Sequence, residues 1–169
     1  ARSLGNGCKI KVLAPEDMLL HSAAHLFHEG EFQHGMRDLV DIDSLLRQFG
    51  QEEGFWQRLV PRALELELSR PLFYALRYAR NILGTPVPEA VMREVKETPG
   101  GQFPGILLAY MDSLFLRALR PSHASCQDGY TSLARWQLYV RGHWLRMPPW
   151  LLLRHLLRKA FMGQKAAVG

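Results

Sequence analysis

His21, His25 and His28 stand four and three residues apart, and on an α-helix that spacing sets three imidazoles within one narrow arc. Such a stripe has the geometry of a metal-ligand set. A few residues on, His34, Asp38 and Asp41 repeat the relation, and an antiparallel pairing of the two helices through the short link between them would bring the stripes face to face. Three imidazoles with a carboxylate suit zinc or manganese. The same residues serve equally as half-buried hydrogen-bonding side chains on a helix that is apolar around most of its girth, or as a metal-free polar site. Type and spacing leave all three open.

Asp41-Ile42-Asp43 has the Asp-x-Asp form that holds magnesium when it lies on a strand. On a helix, residues i and i+2 lie about 200° apart, so the two carboxylates cannot share an ion. Asp43 is expected to be solvated, and Asp41, on the side of His34 and Asp38, is the one placed to face a site. Leu4-Gly5-Asn6-Gly7 precedes a strand rather than opening a helix and has no Gly-Lys-Ser element, so it is not a phosphate loop. The chain has no Gly-x-Ser-x-Gly elbow, and neither Cys8 nor Cys126 has a nucleophile signature around it. Hydrolase chemistry of those kinds is unsupported.

Positioning these residues falls to helices. Ala14-Pro15-Glu16-Asp17 is a helix start, with proline in the first turn and two carboxylates near the positive end of the dipole. The first helix is predicted from Pro15 to about His28, and the second from about Gln33 to Phe49, closed by Gly50. A third runs from about Phe55 to Leu66 with Pro61 kinking it or delaying its start. Ser69 is expected to cap a fourth, whose buried stripe is Leu72, Phe73, Leu76, Ala79 and Leu83. Glu89–Lys96, about Pro104–Leu119, about Tyr130–Leu145 and Trp150–Met162 complete the set.

Cys8 to Leu13 alternate as a β-strand does, yet nothing after Pro15 offers it a partner, and a lone strand is unstable in water. The expected fold is therefore mainly α: a compact array of seven or eight helices with one N-terminal strand left over from a mixed α/β domain. Residues 1–14 read as the remnant strand and linker, residues 15–169 as the helical domain. With 169 residues, 47% of them hydrophobic, the chain can bury one core.

No run approaches the roughly 20 apolar residues of a membrane span, and the two widely separated cysteines suit reduced thiols in the cytoplasm. Net charge is +5, but residues 1–128 hold 14 basic and 16 acidic side chains, whereas residues 129–169 hold 7 basic and none acidic. There Trp136, Tyr139, Trp144 and Trp150 interleave with Arg135, Arg141, Arg146, Arg154, Arg158 and Lys159. The pattern fits a core helix with solvated charges, an anionic membrane surface, or nucleic acid.

Val12-Leu13-Ala14-Pro15-Glu16-Asp17-Met18-Leu19-Leu20-His21, followed by Ala24-His25-Leu26-Phe27, resembles the segment after the catalytic domain in the bacterial family of uncharacterised nucleotidyltransferases. Arg37-Asp38-Leu39-Val40-Asp41-Ile42, Phe55-Trp56-Gln57-Arg58-Leu59, Arg70-Pro71-Leu72-Phe73-Tyr74-Ala75-Leu76 and Gly84-Thr85-Pro86-Val87-Pro88 resemble later pieces of it in the same order. The likeness runs from about Lys11 to Pro88. It implies a two-part enzyme, in which an N-terminal sheet domain carries a Gly-Ser turn and metal-binding acids, and a helical part shapes the acceptor side of the cleft.

Neither the Gly-Ser turn nor a strand-borne acidic pair occurs in these residues, so the chain alone is expected to be inactive. The resemblance implies Mg2+ and a nucleoside triphosphate for the intact parent, and neither for this chain. It makes His25 and Asp41 the candidates for a base or a substrate-contacting group. The implied partners are the N-terminal transferase domain and an acceptor. The rival is a non-catalytic binding or scaffold module whose basic end meets a membrane surface or nucleic acid.

Overall fold

A computed structural model describes residues 2–3, 9–10, 12–29, 32–121 and 123–146. Its helices are α1 (Pro15–Glu29), α2 (Gly35–Phe49), α3 (Phe55–Glu65), α4 (Ser69–Leu83), α5 (Glu89–Glu97), α6 (Gly105–Ala118) and α7 (Gly129–Arg146), with one 3-10 turn at Ala124–Cys126. The expected mainly α array is thus present, with seven α-helices among the described residues. The helix expected over Trp150–Met162 lies outside them.

The opening strand is corrected. Two short strands, β1 (Arg2–Ser3) and β2 (Lys9–Ile10), pair antiparallel with Arg2 opposite Ile10 and Ser3 opposite Lys9. The alternating stretch therefore has a partner within this chain, and Val12 and Leu13 are not strand.

α4 is the central element, packed by α1, α2, α3 and α5. Its apolar side chains cover most of its circumference: Leu72, Phe73, Tyr74, Ala75, Leu76, Tyr78 and Ala79 are all buried, as befits a helix enclosed by others. Phe27 of α1, Tyr74 and Tyr78 of α4, and Phe115 of α6 form an aromatic centre, with the Phe115 ring 4.7 Å from Tyr74 and 5.4 Å from Phe27. These spacings favour offset and edge-on packing.

Charged pairs fix how α1 meets α3. Glu16, only 6% exposed, accepts from Arg58 at 2.6 Å, and Asp17 accepts from Arg62 at 2.7 Å. The first-turn carboxylates of α1 thus clamp a neighbouring helix as well as facing their own dipole. Pro61 neither delays nor ends α3, which runs unbroken from Phe55 to Glu65. Pro61 and Gln57, whose carbonyl loses its helical donor to proline, are both exposed, so water can serve that carbonyl.

Ser69 is the first residue of α4 rather than its cap; Leu68 holds the cap position and no side chain caps it. The reason lies in the turn before it. Leu68 N–H donates to the Ala63 carbonyl at 2.7 Å and Glu67 N–H to the Leu64 carbonyl at 3.1 Å, which is the paired bonding of a Schellman turn. The chain leaves α3 through that turn already aimed into α4. Gly50 does close α2, but at φ −62°, so conformational freedom does not explain it. A β-carbon there would lie 2.7 Å from the Trp56 ring, whose Nε1 donates to the Gly50 carbonyl at 3.0 Å.

Candidate functional site

The histidine stripe on α1 does not act as a unit. His21 and His25 are exposed, and His28 is half-buried at the other end of the helix. His25 Nδ1 lies 2.8 Å from Glu29 Oε2 on its own helix. α1 and α2 bury Leu19, Leu20, Ala23, Leu26 and Phe27 on one side and Leu39, Ile42, Leu46 and Phe49 on the other. His34 and Asp41 are exposed and Asp38 is half-buried. Among the described residues no group of three or more His, Cys, Asp or Glu side chains is placed to hold a metal ion.

Asp43 departs from expectation. It is not solvated: it accepts from Arg47 Nε at 2.8 Å and from the Thr85 hydroxyl at 2.5 Å, and Arg47 also donates to the Leu83 carbonyl. Burial alone would raise its pKa, but hydrogen bonds from Arg47 and Thr85 outweigh that and hold it below the usual carboxylate value. Asp43 therefore ties α2 to the exit of α4. Asp41 stays exposed, and the two carboxylates do not form a magnesium site.

A cavity of about 470 Å³ opens where several elements end together. Phe27 and His28 close α1, Leu64 and Glu67 belong to the end of α3 and its turn, and Ser69, Arg70 and Pro71 begin α4. Pro99 and Gly100 come from the loop between α5 and α6, and Arg141 and Leu145 from α7. Gly100 is required by close approach, since a β-carbon there would lie 2.4 Å from the Arg70 amide nitrogen. The size suits a small molecule, and the wall is mainly apolar with a few polar groups.

Arg141 is half-buried, donates to the Phe27 carbonyl at 3.2 Å, and lies over the rings of Tyr74 and Phe115 at 5.7 and 5.9 Å. Burial pulls its pKa below the ordinary arginine value, and the charge of Arg70 pulls the same way. Arg70 is exposed and lies over Phe103 at 5.3 Å. Glu67 occupies the rim with φ +58°, a conformation usually taken by glycine.

Of the candidate residues, only His28 reaches this cavity; His21, His25 and Asp41 do not line it. Sequence reasoning overlooked Arg70, Glu67 and Arg141 as a set. Arg141 belongs to the basic tail, but nothing local shows that it turns inward. Arg135 does likewise, donating to the Ala118 and Arg120 carbonyls, whereas Trp136 and Trp144 are 56% and 59% exposed. Among the described residues no helix is long and apolar enough to cross a membrane.

Residues 1–84 match the family described as uncharacterised nucleotidyltransferase. No curated protein and no solved structure matches the chain. The matched stretch ends just after α4, so the cavity takes part of its wall from matched residues and part from the loop and helix beyond them.

Proposed function

Because residues 1–84 belong to the uncharacterised nucleotidyltransferase family, we propose that this chain is the helical part of a nucleotidyltransferase and shapes the acceptor side of its cleft. In this reading residues 1–14 lead out of a preceding catalytic domain, and residues 15–169 form the helical domain. The carrying observation is the family match itself, which runs through β1, β2 and α1 to α4.

Magnesium and the nucleoside triphosphate fall to the preceding domain. Asp41 and Asp43 do not suit the metal, because one is exposed and the other is engaged by Arg47 and Thr85. His25 and Asp41 are accessible on adjacent packed helices, α1 and α2. That accessibility lets an imidazole or carboxylate meet an acceptor hydroxyl or amine presented by a docked domain.

The intact protein, assayed with a nucleoside triphosphate, magnesium and a panel of acceptors, tests the assignment. His25→Ala and Asp41→Asn are expected to lower kcat by about 100-fold or more if the residue moves a proton. Unchanged turnover in a verified active enzyme removes that residue from the mechanism. A second reading, a non-catalytic module on an anionic membrane, draws on the exposed Trp136 and Trp144 beside the basic tail. Flotation with anionic liposomes at low and high salt separates the two, since a tail that stays with the soluble fraction at low salt ends the membrane version.

A further inference from the structure

We propose that the cavity at the start of α4 binds a small organic anion, with Arg70 and Arg141 holding a carboxylate or phosphate head and the apolar wall receiving its body. The site is independent of nucleotidyl transfer and would stand if that reading failed.

The first argument is the fate of the arginines. Arg47, Arg58, Arg62, Arg77, Arg80, Arg117 and Arg120 each form an ion pair with a carboxylate. Among the described residues Arg37, Arg70, Arg93, Arg135 and Arg141 form none, and of these five only Arg70 and Arg141 line this cavity. Glu67, the carboxylate on that wall, forms no ion pair with either. The half-buried Arg141 guanidinium recovers part of its lost hydration from the Phe27 carbonyl and two ring faces but meets no counter-charge, and an anion from solution supplies that.

The second argument is shape. The space is concave and bounded by Leu64, Pro71 and Leu145 as well as the two arginines, so it suits a compact body with one charged end. α4 begins at Ser69 and Arg70, which places the positive end of its dipole on the same space. Glu67 at the mouth disfavours a chain of several negative charges. A single head group is therefore favoured over a polyphosphate.

Titration calorimetry on the full chain tests this with phenylacetate, phenyl phosphate and uncharged benzyl alcohol. For ligands of about ten heavy atoms, saturable one-to-one binding at about 1 mM or tighter is expected for an anion. Benzyl alcohol should bind at least tenfold more weakly, and Arg70→Gln and Arg141→Met should each weaken the anion at least tenfold without changing the alcohol. Binding of only one of the two anions supports the proposal and identifies the head group. Arg141 also packs on Tyr74 and Phe115, so if its variant does not fold, the exposed Arg70 decides. The proposal is overturned if neither anion saturates, if the alcohol binds as well as the anions, or if Arg70→Gln leaves anion affinity unchanged.

Discussion

Tyr78 on α4 donates its phenolic hydrogen to Asp112 on α6 at 2.8 Å. The same carboxylate accepts from Arg77 Nε at 2.9 Å and from its terminal nitrogen at 2.6 Å. Burial, then the Asp112 hydrogen bond, push the phenol far above its ordinary pKa, so it remains a donor throughout the working pH range. This three-residue contact fastens a helix beyond residue 84 to the central helix of the family-matched part. Beside it, Phe115 of α6 packs against Tyr74 and Tyr78.

Asp112→Ala should therefore destabilise the protein by about 2 to 3 kcal/mol, because it leaves a half-buried guanidinium and a buried hydroxyl unsatisfied at once. Tyr78→Phe removes one donor and leaves the carboxylate its arginine, so its expected effect is about 1 kcal/mol. Urea unfolding of both single variants and the double variant measures the coupling. Additive losses would show that the two residues do not act together.

Acid stability follows from the same carboxylate. Burial would raise the Asp112 pKa, but hydrogen bonds from Arg77 and Tyr78 outweigh it and leave the folded value below 3.8. The unfolded state consequently binds more protons as pH falls past that ordinary value. The stabilisation is present above it and disappears as pH drops through the folded pKa. Asp43 adds to the same limb. Melting temperature against pH should fall steeply below about pH 4, and Asp112→Asn should flatten part of that fall. An unchanged slope in the variant would assign the acid transition to other groups.

Where proline and glycine punctuate the chain, its elements were legible: Pro15 opens α1, Gly50 follows α2 and Gly84 follows α4. The turn from α3 to α4 was not, because it places Leu66-Glu67-Leu68 where glycine is the usual signal. The opening strand's partner lies upstream, at Arg2–Ser3, and two residues are too few to show an alternating pattern. At the site, local spacing found His28 but could not find Arg141, which meets Phe27 and His28 only through the packing of α7 on α1. Asp43 illustrates the same limit, since Thr85 reaches it from the far end of another helix.

Glu67 offers a test of the turn. A side chain at φ +58° is disfavoured by about 1 to 2 kcal/mol relative to glycine. Glu67 makes no ion pair within the chain that would offset this among the described residues. Glu67→Gly should raise stability by about 0.5 to 1 kcal/mol in urea unfolding, after glycine's greater freedom in the unfolded chain is counted. A loss of stability instead would mean that the carboxylate has a favourable role in the folded protein.

Gly142 marks the contact of α7 with the end of α1. Elsewhere in a helix, exchanging glycine for alanine gains up to about 1 kcal/mol. Here a β-carbon would lie 2.6 Å from the Glu29 carbonyl oxygen and 3.1 Å from that of His28. Both acceptors are backbone and cannot rotate away, so the helices must separate, at about 1 to 3 kcal/mol. Gly142→Ala should thus be destabilising by about 1 kcal/mol net. Gly129→Ala, at the start of the same helix with nothing within 4 Å, should be neutral or mildly stabilising. Because Arg141 precedes Gly142, the shift should also weaken anion binding in the cavity while Gly129→Ala leaves it intact. Equal melting temperatures and equal affinities for the two variants would show that α7 does not depend on this close approach.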